Sequence, residues 1–180
     1  MRCASPWLSL SSSDDWRKDA TAQRRSAKLM TSPLLGDGHG PGEPAQRWAA
    51  AKGLTEDIQF SGKVTYATLM GRPSDEADVL VRPSIEESFS MAAAEAMALG
   101  LPVVAGRDSG GITQVVEPGT GILVNLRSPA EVAEAIITLA RDRTQCEALG
   151  RAARRTALAR FEVDRVFEQY ERVYESLLPS

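Results

Sequence analysis

The stretch Pro83-Ser-Ile-Glu-Glu-Ser-Phe-Ser-Met-Ala-Ala-Ala-Glu-Ala-Met-Ala-Leu-Gly-Leu-Pro-Val-Val104 reads as a strand end, a polar loop, a short helix and the next strand. Residues 91–99 are Ala, Met, Glu and Leu, all strong helix formers. Gly100 stands where a left-handed residue ends a helix, and Pro102 opens an apolar Val-Val run. The loop at 86–90 brings backbone N–H groups to the start of that helix. The first donors there lack intrahelical partners, and the macrodipole adds roughly half a positive charge. Such an end binds a phosphate-like anion. Glu87 in the loop and Glu95 about a turn inside the helix flank this end, with seven residues between them. Carboxylates so placed can accept hydrogen bonds from sugar hydroxyls while the amides hold a phosphate, the outline of a nucleotide-sugar site.

Outward from this stretch, strand and helix patterns alternate from Leu34 onward, which argues for a parallel sheet in an α/β fold. Pro33-Leu-Leu35 reads as a strand end and Gly36-Asp-Gly-His-Gly40 as the turn after it. Residues 43–52 read as a helix stopped by Gly53, residues 58–60 as a strand, and residues 65–70 as a short helix before Gly71-Arg-Pro73. Val79-Leu-Val81 is a continuous apolar run, as expected of a strand buried on both faces. Past Val104 come a glycine loop, a short helix near 112–116 and a strand at 122–124. Ser128-Pro-Ala-Glu131 is a capping box with Pro at the first helical position. Val132, Ala135, Ile136 and Leu139 are the buried stripe of the helix it starts. A second helix is expected at 144–159. In the last, at 164–177, Val166, Tyr170, Val173 and Leu177 repeat at helical spacing, and the stripe Phe167, Tyr170, Val173 and Tyr174 reads as core rather than ligand site.

These residues resemble a family. Glu-x7-Glu, with Ser-Phe after the first Glu and Ala-Met-Ala-Leu-Gly-Leu-Pro-Val-Val after the second, resembles retaining GT-B glycosyltransferases of the group-1, family-four type. It is similar to the phosphatidylinositol mannosyltransferases and to actinobacterial sugar transferases, which share Glu-Ser-Phe. The resemblance continues through Ser109-Gly-Gly-Ile-Thr-Gln-Val-Val-Glu-Pro-Gly-Thr-Gly-Ile-Leu-Val124, Leu34-Leu-Gly-Asp-Gly38 and Ile58-Gln-Phe-Ser-Gly-Lys-Val64, covering about residues 33–177. It implies a Rossmann-like parallel sheet flanked by helices, half of a GT-B fold. Residues 33–180 would be the C-terminal, nucleotide-sugar-binding domain, after a poorly matched and irregular segment at 1–32. By the same resemblance Glu87 contacts the transferred sugar and Glu95 the ribose. Ser88, Phe89, Ser90, Met91 and Ala92 lie where main-chain N–H groups hold sugar and diphosphate, and Val64 where the main chain meets the base. Ser90 stands in place of the family's Gly and would crowd the site if that position needs a positive φ. The family's Arg and Lys for the diphosphate have as their nearest counterparts Arg17 and Lys18, in Leu8-Ser-Leu-Ser-Ser-Ser-Asp-Asp-Trp-Arg-Lys-Asp19.

With 180 residues one domain is the prior, whereas a GT-B enzyme needs two with the site between them. The net charge of −3 implies no nucleic-acid partner. Cys3 and Cys146 suggest neither a disulfide framework nor a metal site. Pro6-Trp-Leu-Ser-Leu10 is too short for a signal-peptide core, and no run reaches transmembrane length, so a cytoplasmic location is expected.

Other chemistries fit less well. Gly36-Asp-Gly-His-Gly40 is Gly-x-Gly-x-Gly, a weak match to a dinucleotide fingerprint, and His39 reads as a turn residue. No Gly-x-Ser-x-Gly elbow supports a hydrolase. Gly110-Gly111 reads as either a tight turn or a close approach to ligand. The arginines between 141 and 165 alternate with Asp142, Glu147, Glu162 and Asp164, as on a solvated face. The resemblance implies transfer of a hexose from a nucleoside diphosphate sugar to an acceptor hydroxyl with retention, needing no cofactor and no metal. The alternative is a truncated, non-catalytic nucleotide-sugar-binding module needing a partner acceptor domain. A same-fold sugar epimerase finds no catalytic His/Asp set.

Overall fold

In the computed structural model, described for residues 32–56, 58–65, 68 and 77–177, the apolar run after Pro102 becomes strand β4 (Val103–Gly106), the centre of a three-stranded parallel sheet. Its neighbours are β3 (Leu80–Arg82), with Leu80 opposite Val103, and β5 (Gly121–Val124), with Val103 opposite Gly121. Alternate side chains of a strand point to opposite faces, and β4 uses both. Val103 and Ala105 enter one apolar cluster with Ala93, Met97, Ile112, Val115 and Ala153. Val104 enters another with Val124, Ala135, Leu139 and Cys146. All three β4 side chains are fully buried.

The described residues fall into two compact units, 32–68 and 77–177. In the first, β1 (Ser32–Leu35) and β2 (Ile58–Gly62) pair in parallel, Ser32 opposite Ile58, and α1 (Pro44–Ala51) connects them. The glycine-rich segment at 36–40 is the expected turn. The Gly36 N–H donates to the Gly62 carbonyl at 2.9 Å and the Gly62 N–H to the His39 carbonyl at 3.1 Å. A Cβ on Gly62 would lie 2.9 Å from Gly40 Cα, so the two glycines let these segments touch.

In the second unit, α2 (Met91–Ala98) links β3 to β4, and a 3₁₀ turn (Gly110–Gln114) links β4 to β5. Helices α3 (Pro129–Arg141), α4 (Arg143–Phe161) and α5 (Val163–Leu177) follow. The end of α2 is a Schellman motif. Gly100 has φ +73°, its N–H donates to the Met97 carbonyl at 2.8 Å, and the Leu101 N–H donates to the Ala96 carbonyl at 2.9 Å. The Arg154 guanidinium, buried on α4, donates to the Ala98 carbonyl, satisfying an acceptor that a helix end leaves open. A Cβ on Gly150 would lie 2.3 Å from the Gly100 carbonyl oxygen, so a glycine there lets α4 approach that end closely.

Four expectations change. Strand β3 is the edge of the described three-stranded sheet, so Leu80, Val81 and Arg82 are half-buried rather than fully enclosed. The capping box is half made: Ser128 Oγ accepts the Glu131 N–H at 3.4 Å. The Glu131 carboxylate instead accepts the Asn125 N–H at 3.0 Å and pairs with Arg107. Buried Arg154 departs from the solvated face expected of the arginines. The α5 stripe is not core: Phe167, Tyr170, Val173 and Tyr174 are all more than half exposed. Helical spacing identifies an apolar face but not what covers it. The helix expected at 65–70 lies mostly outside the described residues. Among the described residues no helix is long and apolar enough to cross a membrane.

Candidate functional site

The loop at 83–90 leaves the carboxyl end of β3 and delivers the chain to α2. Its last residue, Ser90, has φ 72° and ψ 79°, the left-handed conformation in which glycine is at ease. In that conformation its hydroxyl does not cap the helix, and the buried Oγ has no hydrogen-bond partner. The Ser90 carbonyl accepts the N–H groups of Ala93 and Ala94 at 3.1 and 3.2 Å. The N–H groups of Met91 and Ala92 have no acceptor among the described residues, and no acidic side chain occupies the first turn. Both residues are exposed, Met91 at 63%. The start of α2 is thus an open pair of backbone donors at the positive end of a helix. Glu95, half-buried, lies one turn further along the same helix.

Glu87 is held from two sides. Its side chain is 15% exposed, and Oε2 accepts the Nε–H of Arg82 at 2.9 Å. Its carbonyl accepts the Gly111 N–H at 2.7 Å. Gly110, at φ 63°, and Gly111 make this possible. A Cβ on Gly111 would lie 1.7 Å from the Ser88 carbonyl oxygen, and one on Gly110 would lie 2.8 Å from the Glu87 carbonyl oxygen. The glycine pair therefore admits the 87–88 backbone, a role distinct from both sequence readings. Phe89 fastens the loop by its ring, edge-to-face on Phe161 at 5.3 Å, so its ring serves packing while its backbone stays in the loop.

Glu87, Ser88, Phe89, Ser90, Met91, Ala92 and Glu95 thus form one continuous loop–helix segment. Val64 belongs to the other unit, half-buried just after β2. Lys63 pairs with Asp37 at 3.4 Å, both largely exposed, an arrangement of small energetic consequence. His39 directs Nδ1 to the Asp37 carbonyl at 2.9 Å, within its own turn. Arg17 and Lys18 lie outside the described residues. Sequence reasoning missed Arg82, although a charge closing an apolar strand run was a readable signal. It also missed the buttress at Gly110-Gly111, which depends on a contact between loops distant in sequence.

The chain matches the family profile described as Glycosyl transferases group 1 over residues 18–142. It is 35% identical over 143 residues to D-inositol 3-phosphate glycosyltransferase of Corynebacterium urealyticum, covering 76% of this chain and 33% of that protein. It is 33% identical over 162 residues to N-acetyl-alpha-D-glucosaminyl L-malate synthase of Bacillus anthracis, covering 84% and 40%. The crystal structure of Anabaena Alr3699/HepE in complex with UDP matches with a TM-score of 0.70 and 28% identity, over 96% of this chain and 46% of that one. The chain spans less than half the length of each of these relatives. Parallel sheets flanked by helices and these neighbours agree with the GT-B architecture expected from the sequence. On the strength of the profile match and the identity to these relatives, the chain belongs to the group 1 glycosyltransferases.

Proposed function

We propose that this chain is the donor-binding, C-terminal part of a retaining glycosyltransferase that takes a hexose from a nucleoside diphosphate sugar to an acceptor hydroxyl. The observation that carries the reading is the open start of α2, with the Met91 and Ala92 N–H groups unpaired among the described residues and Glu87 and Glu95 on the same segment. The two N–H groups and the helix dipole receive the diphosphate, Glu95 the ribose hydroxyls and Glu87 the hexose. As the bond from the anomeric carbon to the diphosphate oxygen breaks, negative charge grows on the departing group. Donors already aimed at that charge stabilise the transition state more than the ground state. Uracil is the base we assign first, because the neighbour of 28% identity is bound to UDP.

A second reading is favoured by the uncovered stripe of α5 and by the chain's share of its relatives' length. In it the 180 residues bind the donor, and a further domain, supplied in cis or trans, brings the acceptor. Calorimetric titration with UDP, GDP and ADP tests the common core of both. Binding with millimolar or tighter affinity, strongest for UDP, is expected, and no heat with any of the three refutes the donor site.

A further inference from the structure

Arg82 ends an apolar strand, where the preceding residues 79–81 are all aliphatic, and its guanidinium reaches five residues on to Glu87. The pair is unequal: the Glu87 side chain is 15% exposed and that of Arg82 39%. A carboxylate so far removed from water needs a partner, and Arg82 provides a single point of contact, Nε–H to Oε2 at 2.9 Å. The other oxygen, Oε1, accepts nothing from the described residues. The backbone beneath is fixed by the Gly111 N–H, so the side chain's remaining freedom is largely rotation of its own torsions, and the arginine removes it. A carboxylate can accept several hydrogen bonds, so one oxygen can stay on Arg82 while the other binds a ligand.

We propose that Arg82 is a positioning residue, which holds the Glu87 carboxylate turned so that Oε1 receives a hydroxyl of the transferred sugar. This rests on the donor-site reading above. A fastening role alone would not distinguish a ligand with a sugar from one without.

The test is calorimetry on the 180-residue chain with UDP and with UDP-glucose, for wild type, Glu87→Gln, Arg82→Met, Arg82→Lys and the double variant Arg82→Met/Glu87→Gln. Loss of one hydrogen bond to a charged group corresponds to roughly 10- to 100-fold in affinity. Arg82→Met and Glu87→Gln should each weaken UDP-glucose by about that factor and leave UDP unchanged. The double variant should be no weaker than the worse single one, and Arg82→Lys should recover part of the loss. Thermal melts establish that each variant is folded, and Arg82→Lys keeps the charge if Arg82→Met does not fold. The proposal is overturned if folded Arg82 variants bind UDP-glucose like wild type, or lose both ligands equally. It is also overturned if wild type binds UDP but Glu87→Gln is indifferent to the sugar. Wild type silent to UDP itself sinks instead the donor-site reading beneath it, so the two failures are distinct.

Discussion

Ser90→Gly should stabilise this protein. Ser90 is the one non-glycine residue with positive φ among the described residues, at 72°. A side chain in that region costs about 1–2 kcal/mol relative to glycine. Its Oγ is buried without a partner, and an unsatisfied buried hydroxyl costs about 1–3 kcal/mol. Glycine returns roughly 0.4–1 kcal/mol of this through the greater freedom of its unfolded chain. The balance is a gain of about 1–4 kcal/mol, or roughly 3–12 °C in Tm for a chain of this size. Urea unfolding should show a higher midpoint with an unchanged m-value, the signature of a stability change without a change in exposed surface. Ser90→Ala separates the two contributions, because it removes the hydroxyl but keeps the strained backbone, and should recover about 1–3 kcal/mol. A Ser90→Gly variant no more stable than wild type would refute both the strain and the orphaned hydroxyl. Strain of this kind persists at functional sites, and the main-chain donors of Met91 and Ala92 are untouched by the substitution.

Gly111→Ala should lose about 1–3 kcal/mol or more, because its Cβ would fall 1.7 Å from the Ser88 carbonyl oxygen; wild-type stability in a urea titration would contradict the loop contact. Met97→Ala, at a side chain with 0% exposure, should cost about 2–5 kcal/mol, and a loss under about 1 kcal/mol would mean that α2 is not seated on the sheet as described. Glu95→Gln should weaken UDP binding by about 1.5–3 kcal/mol, and unchanged affinity would remove Glu95 from the ribose. With UDP-glucose and a sugar acceptor, the 180-residue chain should show at most slow donor hydrolysis. Holding acceptor and donor together supplies roughly 7–11 kcal/mol of such a barrier, and the second reading assigns the acceptor to a further domain. Transfer at ~1 s⁻¹ or faster, an ordinary enzymatic rate, would contradict this.

What was legible in the sequence was local. Residues 91–100 carry helix formers and a terminal glycine, and they fold as a helix with a glycine-ended Schellman motif. Val103 and Val104, read as a strand, lie at the centre of the sheet. What escaped depends on partners distant in the chain. Glu131 was readable as a capping residue, but its carboxylate turns to Arg107, 24 residues away. The α5 stripe was legible as apolar, yet periodicity carries no information on what lies opposite, and the structure leaves it exposed. At the candidate site, the Glu-x7-Glu spacing and the helix start were legible together. The positive φ at Ser90 could be anticipated only as a consequence of a serine standing where the family has glycine. The Arg82–Glu87 pair needed coordinates, since a five-residue separation across a loop has no periodic signature.

The most direct measurement of the central account is an amide NMR titration of the isotopically labelled chain with UDP, following Met91 and Ala92. Their N–H groups are the open donors at the start of α2, and hydrogen bonding to a diphosphate should move both resonances downfield, saturably, with the largest shifts on residues 87–95. Shifts confined to other parts of the chain, or none at millimolar UDP, would contradict it.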